Sequence, residues 1–378
     1  LAVPEGYDTG QGWQSDLAGT RYVLPGTPAV AVFTGEETAE GGFTVLDAAD
    51  GTPSWTSAPV RAVEEDGTVH SLTVSTGDAD HLVAWSTGTS GADAVSRGEE
   101  IVSLDIFPAT GSGEAVEPAH HIEIDGSGTV TDGGAAVLVT GDDGVAVAVD
   151  PATGERTTYD PETLDVPDGC DDCPVSGEII GVTEAGPLLV DSYGYSGFWV
   201  PGAWSSGTAR PENAAEDSAF VDQVTDTALV ARWYGKEGSS ETVWAVLDGA
   251  TGETRATVRC PETYGANDTP AEDENQAVSA DGRYLAYGHR VFDLEEGTGH
   301  CFAETENTNP VRFFAVTDDG RAFGLAGTDE GDAPVELDIA SGEFTEMAAG
   351  TSLPLAHLPG MGVFTEETVG TLVAYPIG

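Results

Sequence analysis

The stretch Val145-Ala-Val-Ala-Val-Asp150-Pro-Ala-Thr-Gly154-Glu155 decides the fold. Its first five residues alternate with about a two-residue period, the pattern of a strand. Asp150 then offers a carboxylate that can accept backbone N–H groups across a turn, and Gly154 supplies a residue able to take positive φ. A single Asp-x-x-x-Gly carries little weight. The same unit follows an apolar strand at Asp47 with Gly51, Asp248 with Gly252, Asp293 with Gly297 and Asp338 with Gly342. A further copy, Asp105 with Gly111, carries two extra residues. Their recurrence at related places marks an internal repeat.

The strand before each turn serves as a ruler. Its starts fall near Phe43, Ile101, Val145, Phe198, Val243, Arg290, Val335 and Thr371, a mean spacing of about 47 residues. That is the length of a four-stranded propeller blade. No stretch of about ten residues or more places apolar side chains at helical spacing. The expectation is therefore an all-β chain, with residues 1–378 forming a single closed β-propeller of four-stranded blades. Eight blades are expected, or seven if the module at 198–210, which lacks the Asp, is not a blade. The ends complete each other. Thr371-Leu-Val-Ala-Tyr375 gives a strand with no outer partner after it, and Tyr7-Asp-Thr-Gly-Gln-Gly-Trp13-Gln parallels the turn and outer strand from Asp47 to Trp55. A strand within about 7–16 would complete the last blade and remove an exposed edge.

Composition bounds the function. Thirteen Lys+Arg against 66 Asp+Glu give a formal net charge of −53. Phosphate neutralisation supplies most non-specific nucleic-acid affinity, and so much negative charge excludes it, as it excludes a polybasic membrane patch. A hydrophobic fraction of 39% still builds a core. No apolar run reaches the ~18 residues of a membrane span, so direct insertion by this segment is not expected. The chain opens at Leu1 without Met or signal peptide, the expectation for an excised mature domain. Its only lysine is Lys236, a bias that fits a high-GC genome.

Ala148-Val-Asp150-Pro-Ala-Thr-Gly154-Glu and Val246-Leu-Asp248-Gly-Ala-Thr-Gly252-Glu resemble the Ala-x-Asp-x-x-Thr-Gly-x signature of the PQQ-like β-propeller repeat family. The opening Tyr7-Asp-Thr-Gly-Gln-Gly-Trp13 is similar to secreted or lipid-anchored actinobacterial propellers of that type. The resemblance implies the fold and an extracellular or cell-surface place, membrane-tethered in the full-length protein. Quinoprotein dehydrogenases of the superfamily carry a docking Trp in most blades, and here only Trp13 and Trp55 stand in that place. Those enzymes also stack PQQ on a disulfide between adjacent cysteines, whereas Cys170 and Cys173 are separated by two residues. A tricarboxylate cofactor would further meet a strongly negative field. No cofactor is expected from this reading beyond structural Ca²⁺.

The cysteines read as disulfides, hence an oxidising compartment. Cys260 and Cys301 occupy outer-strand positions of consecutive repeats, so the pairings 260–301 and 170–173 are favoured. Asp142, Asp143, Asp165, Asp168, Asp171 and Asp172 are candidate Ca²⁺ ligands, with solvated acidic loop as the simpler reading. The seven histidines are scattered, and no metal site is nominated. No His-Glu-x-x-His, Gly-x-Ser-x-Gly or Walker A loop is present, and no catalytic residue is nominated.

One region invites a binding assignment. Tyr193, Tyr195, Phe198, Trp199 and Trp204 crowd a Gly- and Pro-rich stretch, with Trp233 and Tyr234 in the next module. Aromatic rings on such loops suit a sugar or peptide, and Tyr193, Tyr195, Trp204, Trp233 and Tyr234 are the candidate ligand-binding residues. The competing reading is packing between blades. The functional expectation is a non-catalytic extracellular sensor, binding or assembly propeller recognising a protein, peptide or glycan. The alternative is a secreted enzyme on the same scaffold, a glycoside hydrolase or PQQ-dependent dehydrogenase.

Overall fold

The computed structural model describes all residues except 78, 93–94, 166–176, 192–196, 237–238, 262–275, 329 and 367–369, and omits the side chains of 216–218. Among the described residues the chain is all-β, with one 3-10 turn at Pro161–Thr163. No helix among them is long and apolar enough to cross a membrane. The strands fall into antiparallel four-stranded units in chain order: 20–57, 70–125, 128–159, 177–205, 214–261, 276–301, 311–346, and 356–376 completed by Trp13–Ser15. They are called units 1 to 8 below. The ruler strands all prove to be third strands of these units, including Phe198–Val200 in the short-stranded unit 4.

The repeat owes its regularity to the turn. Asp47 accepts the Ala49 N–H at 2.8 Å, Asp150 the Ala152 N–H at 2.8 Å, and Asp248 the Thr251 N–H at 2.9 Å. Asp293 and Asp338 do the same for Glu295 and Ser341. The following glycine sits at φ +71° or +72° in all five turns, a region costly for any side chain. Asp105 departs from the pattern. The strand Glu99–Pro108 runs on beyond it, and its carboxylate meets His121 Nδ1 at 2.7 Å instead of closing a turn.

Fourth-strand side chains then lock unit to unit. The Trp13 indole donates to the Ala48 carbonyl at 2.7 Å, Trp55 to Ala109 at 2.8 Å, and Trp204 to Gly249 at 3.3 Å. Each ring lies so close to a turn glycine that a Cβ on Gly51 would come within 2.4 Å of Trp13, and one on Gly252 within 2.7 Å of Trp204. The docking place is thus filled by Trp204 as well as by Trp13 and Trp55. His120 fills it between units 2 and 3, bonding the Ala152 carbonyl at 3.0 Å.

Two covers protect outer strands. Gly113–Val116 pairs in parallel with Pro53–Ser57, and the outer strands of units 5 and 6 touch in parallel at Thr257 and Thr298. Cys260 and Cys301, on the outer strands of consecutive units, form a disulfide across that same junction. The 170–173 pairing lies outside the described residues. Replacing both Cys260 and Cys301 by Ser should destabilise the chain by about 4 kcal/mol through regained loop entropy, read from denaturant melts of variant and parent. A change below about 1 kcal/mol would mean that the bridge constrains nothing the β-pairing does not already hold.

The N-terminus joins the last unit. Trp13, Gln14 and Ser15 pair antiparallel with Ala374, Val373 and Leu372, and Tyr7 bridges Ile377. Leu358, Met361, Val363, Leu372 and Ala374 of unit 8 share one buried cluster with Val30, Leu46 and Ala48 of unit 1. Tyr7 packs edge-on against Phe364 at 5.0 Å, and its hydroxyl is hydrogen-bonded to Nε2 of His357. His357 is buried and stacks on Phe323 at 6.0 Å. Burial first, then the Arg321 guanidinium, hold its pKa down at about 4. The folded state therefore favours the neutral ring. Its contribution to stability is complete above the unfolded value of ~6.5 and is lost as pH falls toward 4. His357→Gln, which keeps a partner for Tyr7, should flatten that acid limb by up to about 3 kcal/mol in melts across this window. Parallel pH profiles for the two proteins would contradict this.

Candidate functional site: an acidic cleft across three units

A cleft of about 530 Å³ opens where the first strands of units 3, 4 and 5 meet, Gly128–Asp132, Gly177–Thr183 and Ala214–Val224. Two of these strands are irregular at the cleft. The register with the second strand shifts between Ile179 and Gly181 and again between Val221 and Gln223, leaving Ile180 and Asp222 as extra residues. Bulges re-aim side chains that a regular strand would send to alternate faces. Both bulged residues line the cleft.

Its polar wall is mainly carboxylate and hydroxyl: Asp132, Asp142, Glu178 and Asp222, with Thr129, Thr131 and Thr140. Asp222 is held by Arg232, whose Nε lies 3.2 Å from both of its oxygens. Asp142 accepts from Ser127 Oγ at 2.9 Å. Asp132 accepts the Gly134 N–H at 2.9 Å. Although water reaches it through the cleft, the surrounding protein pushes the Asp132 pKa up to about 6, and Asp226 adds to the rise. A carboxylate so raised gains from a cation brought beside it, because the cation removes the cost of ionisation.

Turns from three units close one end of this region. The Gly77 N–H of unit 2 donates to Asp226 of unit 5 at 2.7 Å. Gly134, in the turn between the first two strands of unit 3, has φ +84° and leaves no room for a side chain, since a Cβ would stand 2.7 Å from the Thr225 carbonyl. Gly134 is also bridged to Val182.

The aromatic candidates lie elsewhere. Trp204 and Trp233, 5% and 1% exposed, belong to the core between units 4 and 5 and are not open to a ligand. Phe198 and Val200 join them there, while Trp199 faces the other way into the core shared with unit 3. A strand alternates its side chains, and here a neighbouring unit covers each face. Tyr234 is half-buried, edge-on to Phe220 at 5.6 Å. Tyr193 and Tyr195 lie outside the described residues, as do Asp168, Asp171 and Asp172 of the calcium reading. Asp142 lines the cleft, and Asp143 serves a turn by accepting the Val145 N–H at 3.1 Å. Among the described residues no three metal-ligating side chains gather.

Sequence reasoning missed Asp132, Glu178 and Asp222. Nothing marks them among 66 acidic residues, and the bulges at Ile180 and Asp222 are not visible in a two-residue period.

No protein-family model matches the chain, and no curated protein matches it. Among solved structures, the chain is similar to the computationally designed Ika8 protein, at 13% identity and TM-score 0.41 over 100% of this chain and 98% of that one. It is similar to BamB from Moraxella catarrhalis at 11% identity and TM-score 0.34, covering 96% and 100% of the two chains. The Dos1 propeller is similar at 12% identity and TM-score 0.41, covering 99% and 97%.

Proposed function

We propose that residues 1–378 are a single closed β-propeller of eight blades, the units described above, of PQQ-like type and sealed by the N-terminal strand. Its role is that of a non-catalytic binding, sensor or assembly module, extracellular and membrane-tethered in the full-length protein. The chain-order succession of four-stranded units and the pairing of Trp13–Ser15 with Thr371–Pro376 support the ring. The disulfide between Cys260 and Cys301 supports an oxidising compartment.

One observation carries the functional reading: the carboxylate-walled cleft built by the first strands of three consecutive units, two of them bulged. A concave site with converging acidic and hydroxyl groups suits a cationic side chain presented by a protein or peptide. The net charge of −53 would steer such a partner toward the chain but would not by itself place it.

The test must separate the cleft from the general field. A fluorescein-labelled peptide with a single Arg-Lys pair is titrated near physiological salt against the parent, against Asp142→Asn/Glu178→Gln, and against Glu343→Gln/Glu346→Gln on a remote exposed strand. Both double variants remove two charges. The cleft variant should bind about tenfold more weakly while the remote one matches the parent. Equal binding by all three, or no saturable binding to the parent, would sink the proposal.

A further inference from the structure

We propose that residues 1–15 form an acid-released latch: Tyr7 plugs a socket between units 7 and 8, and a proton taken up by His357 in that socket frees the segment from the edge of unit 8. The latch rests on the pairing of the two chain ends and not on the acidic cleft.

Most of residues 1–12 lie exposed, and Tyr7 is the ring they drive inward. Its hydroxyl is bonded to Nε2 of His357, its edge meets Phe364 at 5.0 Å, and the Phe323 ring lies 6.4 Å away. A Cβ on Gly362 would stand 2.2 Å from the Tyr7 ring, so the socket holds a flat side chain over bare backbone. Beside this plug, the Asp8 N–H donates to the Pro376 carbonyl at 2.9 Å, and the Gly6 carbonyl accepts the Gly378 N–H at 2.7 Å. The three-residue ladder from Trp13 to Ser15 follows directly. A short ladder at a sheet edge belongs to the part of a fold that opens locally, without global unfolding.

The socket suits a neutral imidazole. His357 is buried, with its ring face stacked on Phe323. The charges that act on it come from unit 7. Arg321 opposes a proton on the ring and Asp319 favours one, while the Arg321 guanidinium engages Asp319 at 3.0 Å and Glu336 at 3.9 Å. From the latch itself, Glu5 acts on Glu336, and Asp8 is turned to Gly10 and Gln11. Two first strands also pack against Ala356–Leu358. Val311–Val316 of unit 7 brings Arg312, which lies over Phe314 at 5.1 Å. Thr20–Leu24 of unit 1 brings Arg21, which donates to Thr365 at 3.4 Å and to the Gly370 carbonyl. A proton on His357 therefore sets a second cation near Arg321, where little water screens the two. With Tyr7 withdrawn, water reaches the ring and the charge is tolerated.

The direction of the effect follows. Burial first, then Arg321, hold the ring at about 4 while the latch is shut, against ~6.5 in water. The shut state keeps its full advantage above ~6.5 and loses it as pH falls toward 4. Between about pH 7 and pH 5 the opening equilibrium rises by up to about twentyfold.

Hydrogen exchange read by mass spectrometry, at pH 7 and pH 5 and corrected for the intrinsic rate, tests this on the parent and on His357→Gln. In the parent, peptides holding residues 8–15 should lose protection by up to about twentyfold at pH 5. Peptides from units 3 and 4 should keep theirs, and the variant should show no such loss at 8–15. Independently of the variant, the His357 imidazole signal of the parent should titrate near 4 by NMR. Unchanged protection at 8–15, an equal loss in units 3 and 4, or an equal loss in the variant would overturn the latch. So would a His357 ring that titrates near ~6.5 in the intact chain.

Discussion

A chain lacking residues 1–16 should melt several degrees below the full chain. The truncation removes Trp13 from its place over Gly51 and its bond to Ala48, and takes Tyr7 from between Phe364 and His357. It also bares the edge of Thr371–Pro376, which the ladder from Trp13 to Ser15 now covers. Loss of a large aromatic costs about 3–5 kcal/mol when fully buried, and both rings here are partly exposed, so a total of about 5 kcal/mol is expected. For a chain of this size that is a fall of roughly 6 °C in thermal melts. The bared strand should in addition promote association between copies, visible as concentration-dependent light scattering. A truncated chain that melts with the parent would show that unit 8 does not need its fourth strand.

Trp199→Ala and Trp204→Ala should each cost about 3–5 kcal/mol, although the two rings face different neighbours. Trp199 leaves a hole in the core between units 3 and 4, Trp204 in the core between units 4 and 5. The second change also strips the Gly249 carbonyl of its indole donor. Urea melts of both variants check this. A loss below about 1 kcal/mol at Trp204 would return that ring to the surface and revive it as a ligand platform.

The same tryptophans show where sequence reasoning ran out. Alternation through Phe198, Trp199 and Val200 reveals that the strand has two faces. It does not reveal that a neighbouring unit covers each of them, because that depends on packing between repeats. The turns were readable because their chemistry is local: one carboxylate, nearby N–H groups and one glycine. Asp105 misled for the complementary reason. Its strand runs on to Pro108 beside a long partner, Ala79–Ser90, and long-range pairing overrode the local turn. The Cys260–Cys301 bridge was readable once the repeat register was fixed, since both residues fell on outer strands of consecutive units. The acidic cleft was not, since it arises from bulges at Ile180 and Asp222.

Ring closure can be measured directly by trapping it. Gln14 and Val373 are partners in the antiparallel pairing that joins the two ends of the chain. Across such a pair the Cβ atoms lie about 4.5–5.5 Å apart, near the reach of a disulfide. Cysteines introduced together, Gln14→Cys with Val373→Cys, should cross-link within one chain on mild oxidation. Mass spectrometry of the unreduced digest should then find the peptides holding 14 and 373 joined, and the oxidised protein should melt above its reduced form. Free thiols at both positions, or a link only between separate chains, would contradict a ring closed by its own N-terminus.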